Sequence, residues 1–171
     1  MPTSELLLYF AAEKQGAILI AAIGVASGIL AAYLWLAEGP FRAMAWPLAA
    51  IGLGQLALGV GLFLRTDPQI ARLLEGLRSR PQATMQSELA RMEKVNRSFK
   101  VIEAAEVAAL ATGLFLALAL RQRHPAWAAV GMGLVVQAAV TLVFDLFAEH
   151  RALAYTRWLA ELSRSTGGGL S

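Results

Sequence analysis

The sequence contains no cysteine, which excludes disulfides, thiolate metal ligands and cysteine nucleophiles. Its two histidines, His124 and His150, lie far apart in the chain and argue against haem ligation. Charged residues are also scarce, at 16% of the chain, whereas soluble domains carry about 25%. No catalytic motif or cofactor-binding motif is present, so the sequence predicts no enzymatic activity and no cofactor.

The scarcity of charge is concentrated in four apolar stretches, which cover residues 16–37, 43–64, 101–120 and 126–147. Each has about 20 residues and would cross the roughly 30 Å hydrocarbon core of a bilayer as a helix. Because a backbone in lipid has to satisfy its own hydrogen bonds, these spans are expected to be helical. The sequence therefore predicts an all-α polytopic membrane protein, a four-transmembrane-helix bundle in one domain over residues 1–164.

The connections between the spans are of two kinds. Short turns at 38–42 and 122–125 predict two pairs of antiparallel neighbouring helices. Residues 66–100 form a long charged connection, in which Asp67 and Pro68 are typical of a helix start and predict a separate short helix to Leu77.

A long third helix is predicted from Met85 to Arg121, because no proline interrupts that range and Thr84 precedes it as a capping residue. Helical spacing predicts its buried face to consist of Leu89, Met92, Val95, Phe99 and Ile102. The N-terminal residues and the residues after span 4 are also expected to be helical. Together these extensions predict a small cytosolic helical cap, followed by a flexible tail at 165–171.

Basic residues are distributed unevenly about the spans, with twelve on the side of both termini and three on the side of the short turns. The positive-inside rule therefore predicts that both termini lie in the cytoplasm. Trp35, Trp46 and Trp127 mark the opposite interface, as an aromatic belt would. Twelve Arg against three Lys, with abundant Ala and Gly, favour a bacterial protein, and thus the inner membrane.

A belt of ionisable side chains is predicted at the cytoplasmic ends of the spans, comprising Glu13, Lys14, Arg65, Glu103, Glu106, Asp145, Glu149 and His150. The favoured interpretation is structural, with Lys14, Arg65, Lys100 and Arg151 neutralising the carboxylates. A proton or cation site at Glu106 or Asp145, the deepest acids, is a second interpretation. A carboxylate metal site is the third and would make the chain a membrane enzyme, although the Glu-x-x-His pairs of di-metal bundles are absent.

Two further patterns concern the middle of the spans. Ser27, Gln55, Thr112 and Gln137 place one polar residue in each span at similar depth, which predicts interhelical hydrogen bonds or, alternatively, a polar permeation path. Small residues line single helix faces and predict close helix packing, within one subunit or between subunits, at Gly24 and Gly28 in span 1 and at Ala50, Gly54, Ala57 and Gly61 in span 2.

The basic residues of the middle connection are interleaved with acids. Glu88 and Arg91, like Glu93 and Arg97, are spaced for salt bridges along a helix, which indicates a solvated face and no nucleic-acid partner. The leading hypothesis is a non-enzymatic accessory or interaction protein in the lipid bilayer: a complex subunit, a regulator or a toxin-immunity protein that binds a protein partner through its cytosolic helices. The alternative is a small homo-oligomeric channel or a proton- or cation-coupled carrier that uses the belt.

Overall fold

A computed structural model describes residues 3–167, with side chains from 4 to 164, and this part of the chain contains helices and no strand. The elements are α1 (Thr3–Leu36), a 3-10 turn (Arg42–Met44), α2 (Ala45–Ser79), α3 (Pro81–Ala119) and α4 (Pro125–Gly167). Each α-helix is long and apolar enough to cross a membrane, judged by length and composition. The predicted all-α architecture with four long apolar helices is therefore confirmed.

The helices pack as two antiparallel hairpins, α1 with α2 and α3 with α4, as the short turns predict. α4 joins the two hairpins by packing against the 3-10 turn and α2, and side chains of α1 and α3 meet at one end of the bundle, where Tyr9 lies beside Met92. The first turns of α1, the α2–α3 connection and the last turns of α4 lie together at one end of the bundle. We call this end, formed by residues 4–15, 65–100 and 148–164, the cap, and the opposite end the turn end.

Glycines allow the close approach of α1 and α2. A Cβ atom added at Gly24 would lie 2.5 Å from the carbonyl oxygen of Gly52, and one at Gly59 would lie equally close to a backbone oxygen of α1. The predicted small face of span 2 does not pack against another helix of this chain, because nothing lies within 4 Å of a Cβ added at Gly54 or Gly61. Packing of this face between subunits stays a prediction.

α2 continues through Pro68 to Ser79, so the separate helix predicted from Pro68 is wrong. Proline in a helix interior costs roughly 3 kcal/mol or more, because it removes one hydrogen bond and its ring clashes with the preceding turn. The following turns bury Leu73 and partly bury three more apolar side chains, each contributing up to about 1.5–3 kcal/mol. The stabilisation from these buried side chains outweighs the cost of the proline. Asp67, expected as a helix cap, pairs with Lys14 instead.

α3 begins at Pro81, before the predicted start at Met85, because proline is well suited to the first position of a helix. Thr84, expected to cap the helix, lies inside it and donates a hydrogen bond to the carbonyl oxygen of Arg80 at 2.8 Å. The α2–α3 connection is therefore a single non-helical residue, and the two helices fold back on each other directly.

The far ends of α3 and α4 follow the sequence more closely. α3 ends at Ala119, two residues before the predicted end at Arg121. α4 continues to Gly167, so the predicted flexible tail begins as helix. The rest of that tail, 168–171, lies outside the described residues.

All four helices continue past their apolar spans and pack together in the cap. Its buried core consists of Leu6, Phe10, Leu73, Met92, Ala152, Tyr155 and Leu159. Met92 is fully buried as predicted, and Leu89, Val95 and Phe99 pack against the core. Ile102 is 43% exposed, so its predicted burial is wrong. It lies beyond the cap, where that face of α3 turns outward.

Candidate functional site

The structure divides the predicted ionisable belt between the two hairpins. On the first hairpin, Lys14 Nζ lies 2.6 and 2.8 Å from the carboxylate oxygens of Asp67 and 4.6 Å from the centre of the Phe63 ring. Arg65 Nη2 lies 3.6 Å from Glu13 Oε1. These two ion pairs join α1 to α2 at the edge of the cap next to the apolar spans, which is the arrangement that the structural interpretation of the belt expects.

Glu13 is incompletely satisfied in this arrangement. Its side chain is 16% exposed, and its second carboxylate oxygen, Oε2, is buried without a hydrogen-bond partner among the described residues. Burial raises the pKa of Glu13 above its ordinary value, and the nearby charge of Arg65 offsets only part of this rise. The ionised form of Glu13 is therefore held at a cost to stability.

The acids of α3 and α4 form the second group. Glu103, Asp145 and Glu149 line a shallow groove between these two helices. Glu106 lies beside Asp145 and the hydroxyl of Thr141, and one of its oxygens, Oε2, is buried without a hydrogen-bond donor in the described chain. The described side chains place no Lys, Arg or His nitrogen within salt-bridge distance of any of these acids.

The expectation that Lys100 and Arg151 neutralise the second group is therefore wrong. The guanidinium of Arg151 lies against Gly16 of α1, and the side chains of Lys100 and His150 are exposed. Within the described residues, no cluster of three or more His, Asp or Glu side chains is arranged to hold a metal ion. What the second group offers is one close pair of carboxyl groups, Glu106 with Asp145.

Two of the four members of the predicted mid-span layer form interhelical hydrogen bonds. Gln55 Nε2 donates to Gln137 Oε1 at 3.3 Å, and Gln137 Nε2 donates to the carbonyl oxygen of Leu48 at 3.4 Å. Gln137 is 1% exposed, and Ser27 is buried at the α1–α2 contact. These bonds join α2 to α4, and they favour the hydrogen-bonding interpretation over a polar path.

Thr112 does not belong to this layer. Its side chain is exposed on α3, and its hydroxyl donates to the carbonyl oxygen of Ala108 one turn earlier, at 2.8 Å. A threonine satisfies its donor within its own helix in this way, whereas a glutamine amide needs partners elsewhere. Similar depth in the sequence therefore identified the two glutamines correctly and Thr112 incorrectly.

The cap contains a buried charge that sequence spacing did not reveal. Glu88 is 5% exposed, and both of its oxygens accept hydrogen bonds from Arg91, at 2.8 Å from Nε and 2.6 Å from Nη2. The hydroxyl of Tyr155 on α4 also donates to Glu88 Oε1 at 3.4 Å. The predicted pairing of Glu88 with Arg91 is confirmed, but the prediction that this face is solvated is wrong.

A stack of aromatic rings surrounds this ion pair. The rings of Tyr9 and Tyr155 are parallel with centroids 4.1 Å apart, and Trp158 stacks on Tyr155 at 5.7 Å. Burial raises the pKa of Tyr9 to about 12, and burial together with the nearby Glu88 carboxylate raises the pKa of Tyr155. Both phenols stay protonated at neutral pH, and the contacts of Tyr9 with Tyr155 and Met92 and of Tyr155 with Glu88 join α1, α3 and α4.

Comparison of the chain with protein-family models, with curated proteins and with solved structures finds no match. Its function is therefore inferred from three features of the chain itself: the ion-paired first hairpin, the unpaired acids of the second hairpin, and the surface that the cap leaves exposed.

Proposed function

We propose that this chain is a non-enzymatic accessory protein of the bacterial inner membrane that binds another membrane protein. Its four apolar helices would span the bilayer, and the excess of basic residues at the cap end would place the cap and both termini in the cytoplasm. The cap has a packed core and one fully hydrogen-bonded ion pair, so it would present a rigid surface to a partner.

The outward face of α1 carries this proposal. Exposed apolar side chains extend along it from Leu7 to Leu36, and Gln15 is the one amide among them. The two charged residues in this range, Glu13 and Lys14, form their ion pairs with α2. At 1.5 Å per residue this face is about 44 Å long, whereas the hydrocarbon core is roughly 30 Å thick. An apolar strip therefore continues into the cap.

This strip ends in Leu7 and Leu8, which are 46% and 63% exposed. The other helices of the cap expose charged side chains instead, such as Arg72, Glu93 and Arg157. Exposed apolar surface that has no lipid to cover it is typical of a protein interface. Because the strip is continuous with the lipid-facing part of α1, the partner would be a membrane protein whose own helix leaves the bilayer alongside α1.

Replacing Leu7 and Leu8 by serine tests this assignment, since neither side chain belongs to the cap core. The wild-type protein, extracted from its native membrane in mild detergent, should carry a second protein in a fixed stoichiometry by native mass spectrometry. The double variant should lose that protein while keeping its own helical content, and Ala154→Ser on the exposed face of α4 should retain it. The proposal would be contradicted if the double variant retained the second protein as the wild type does.

The Glu106–Asp145 pair supports the alternative, a proton- or cation-coupled carrier. Two adjacent carboxyl groups without a positive partner are costly inside a span, and such groups are often functional. Flux through the oligomeric protein in proteoliposomes distinguishes the two functions. Asp145→Asn should abolish a pH-dependent ion flux if the protein is a carrier, whereas Glu103→Gln, in the same groove, should preserve it. If the protein is an accessory subunit, the wild type conducts no ion above the empty-liposome rate.

A further inference from the structure

An open cleft of about 470 Å³ lies at the turn end, between the α1–α2 turn and the start of α4. Its walls are mainly apolar and include Trp35, Trp46, Pro40 and Pro125. The indole rings of the two tryptophans meet edge to face, with centroids 5.3 Å apart, so each fixes the position of the other. The volume falls within the roughly 300–1,000 Å³ of small-molecule sites, which are usually apolar with a few placed polar groups.

One positive charge projects into this cleft. The guanidinium of Arg42 lies over the ring of Trp35, 4.3 Å from its centre, and this cation–π contact holds it against the wall. Glu38, the acid of the same turn, makes no ion pair with it, and the described side chains offer Arg42 no other carboxylate within 4 Å. The guanidinium of Arg42 thus lies at the wall of the cleft without an anionic partner among the described side chains.

We propose that this cleft binds the anionic phosphate headgroup of a phospholipid. A guanidinium matches a phosphate through two parallel hydrogen bonds, and the apolar walls suit the glycerol and the first methylenes of the acyl chains. Tryptophans are enriched at the depth where headgroups begin, which is where Trp35 and Trp46 would lie. The assignment rests on the membrane insertion proposed above and is independent of the protein partner.

A free phosphate would use the same guanidinium. It would leave the tryptophan and proline walls uncovered, so the cleft favours the lipid as the source of the anion. A lipid headgroup and free phosphate would both place two phosphate oxygens on Arg42. An experiment that offers the protein both of them distinguishes the lipid from the free anion.

The test is lipid retention by the full-length protein, delipidated in detergent and then titrated with phosphatidylglycerol or phosphatidylcholine under native mass spectrometry. The wild type should bind one phosphatidylglycerol in preference to phosphatidylcholine, because the choline ammonium of the latter offsets the phosphate charge that Arg42 would pair with. Arg42→Gln should lose this preference by about tenfold, the value of a charge-assisted hydrogen bond. Arg123→Gln, an exposed cation in the neighbouring turn, is the matched control and should bind as the wild type does.

Three other outcomes are informative. Equal binding of phosphatidylglycerol by wild type and Arg42→Gln, with unchanged helical circular dichroism, would overturn the site. Displacement of the bound phosphatidylglycerol by millimolar inorganic phosphate would assign the cleft to a soluble anion and also overturn the lipid proposal. Failure of the wild type to associate with either lipid or with detergent micelles would contradict the membrane insertion itself, which distinguishes that failure from a failure of the cleft.

Discussion

The buried ion pair of the cap gives the sharpest prediction about stability. Arg91→Leu would leave the Glu88 carboxylate, which is 5% exposed, without a cation. Stranding a buried charge costs about 3–5 kcal/mol, and we expect a value near 3 kcal/mol because the hydroxyl of Tyr155 still donates to Glu88. Glu88→Gln should cost only about 1 kcal/mol, since the side chain of Arg91 is 29% exposed and reaches water.

The double variant separates the cost of the stranded Glu88 carboxylate from the cost of losing the Arg91 side chain. Combining Glu88→Gln with Arg91→Leu removes the stranded charge, so it should be more stable than Arg91→Leu alone by about 1–2 kcal/mol. Glu93→Gln, on the exposed face of α3, is the control and should lie within about 0.5 kcal/mol of the wild type.

The assay is equilibrium unfolding followed by the fluorescence of Trp158, which stacks on Tyr155 inside the cap. The three tryptophans of the turn end, replaced by phenylalanine in every variant, would leave Trp158 as the single reporter. If the losses in the free energy of unfolding of the two single variants add up in the double variant, the carboxylate of Glu88 does not depend on Arg91. That result would contradict the predicted cost of a stranded charge.

Three further outcomes are expected. Gly59→Ala should destabilise the α1–α2 hairpin by about 1–3 kcal/mol through overpacking, whereas Gly54→Ala, which meets open space, should be neutral or stabilising by about 0.5–1 kcal/mol; thermal melts in detergent compare them. Glu13→Gln should melt above the wild type at neutral pH, because a raised folded-state pKa means that wild-type stability falls as pH rises; the difference should disappear on acidification. Reporter fusions at Ser79 should indicate cytoplasm and those at Gly39 periplasm, and a periplasmic signal at Ser79 would contradict the proposed orientation.

The helices and their order were predictable because each span can be recognised from its own residues. About twenty apolar residues without charge, bounded by a turn with Gly or Pro, are typical of one helix whatever surrounds it. The boundary at Pro68 was not predictable in this way. Whether α2 continues through Pro68 depends on the burial of Leu73 and neighbouring side chains by α1, α3 and α4. That burial involves distant parts of the chain.

The candidate site shows the same division between local and distant information. The i,i+3 spacing of Glu88 and Arg91 predicted their ion pair, but their burial depends on Tyr155, which lies 67 residues away from Glu88 in the chain. Likewise, Lys14 and Asp67 are 53 residues apart in the chain, and their pairing depends on the packing of α1 against α2. A buried acid inside a charged segment gives no signal in a single sequence.

The proposed function is tested most directly by photocrosslinking in living cells, with a photoreactive residue in place of Leu8 on the exposed strip of α1. We expect one discrete adduct with a second membrane protein, absent when the same photoreactive residue replaces Ala154 on α4. An adduct of exactly two copies of this chain would favour the homo-oligomeric alternative. Adducts with lipid alone, from a protein expressed at its natural level, would contradict a partner at this surface.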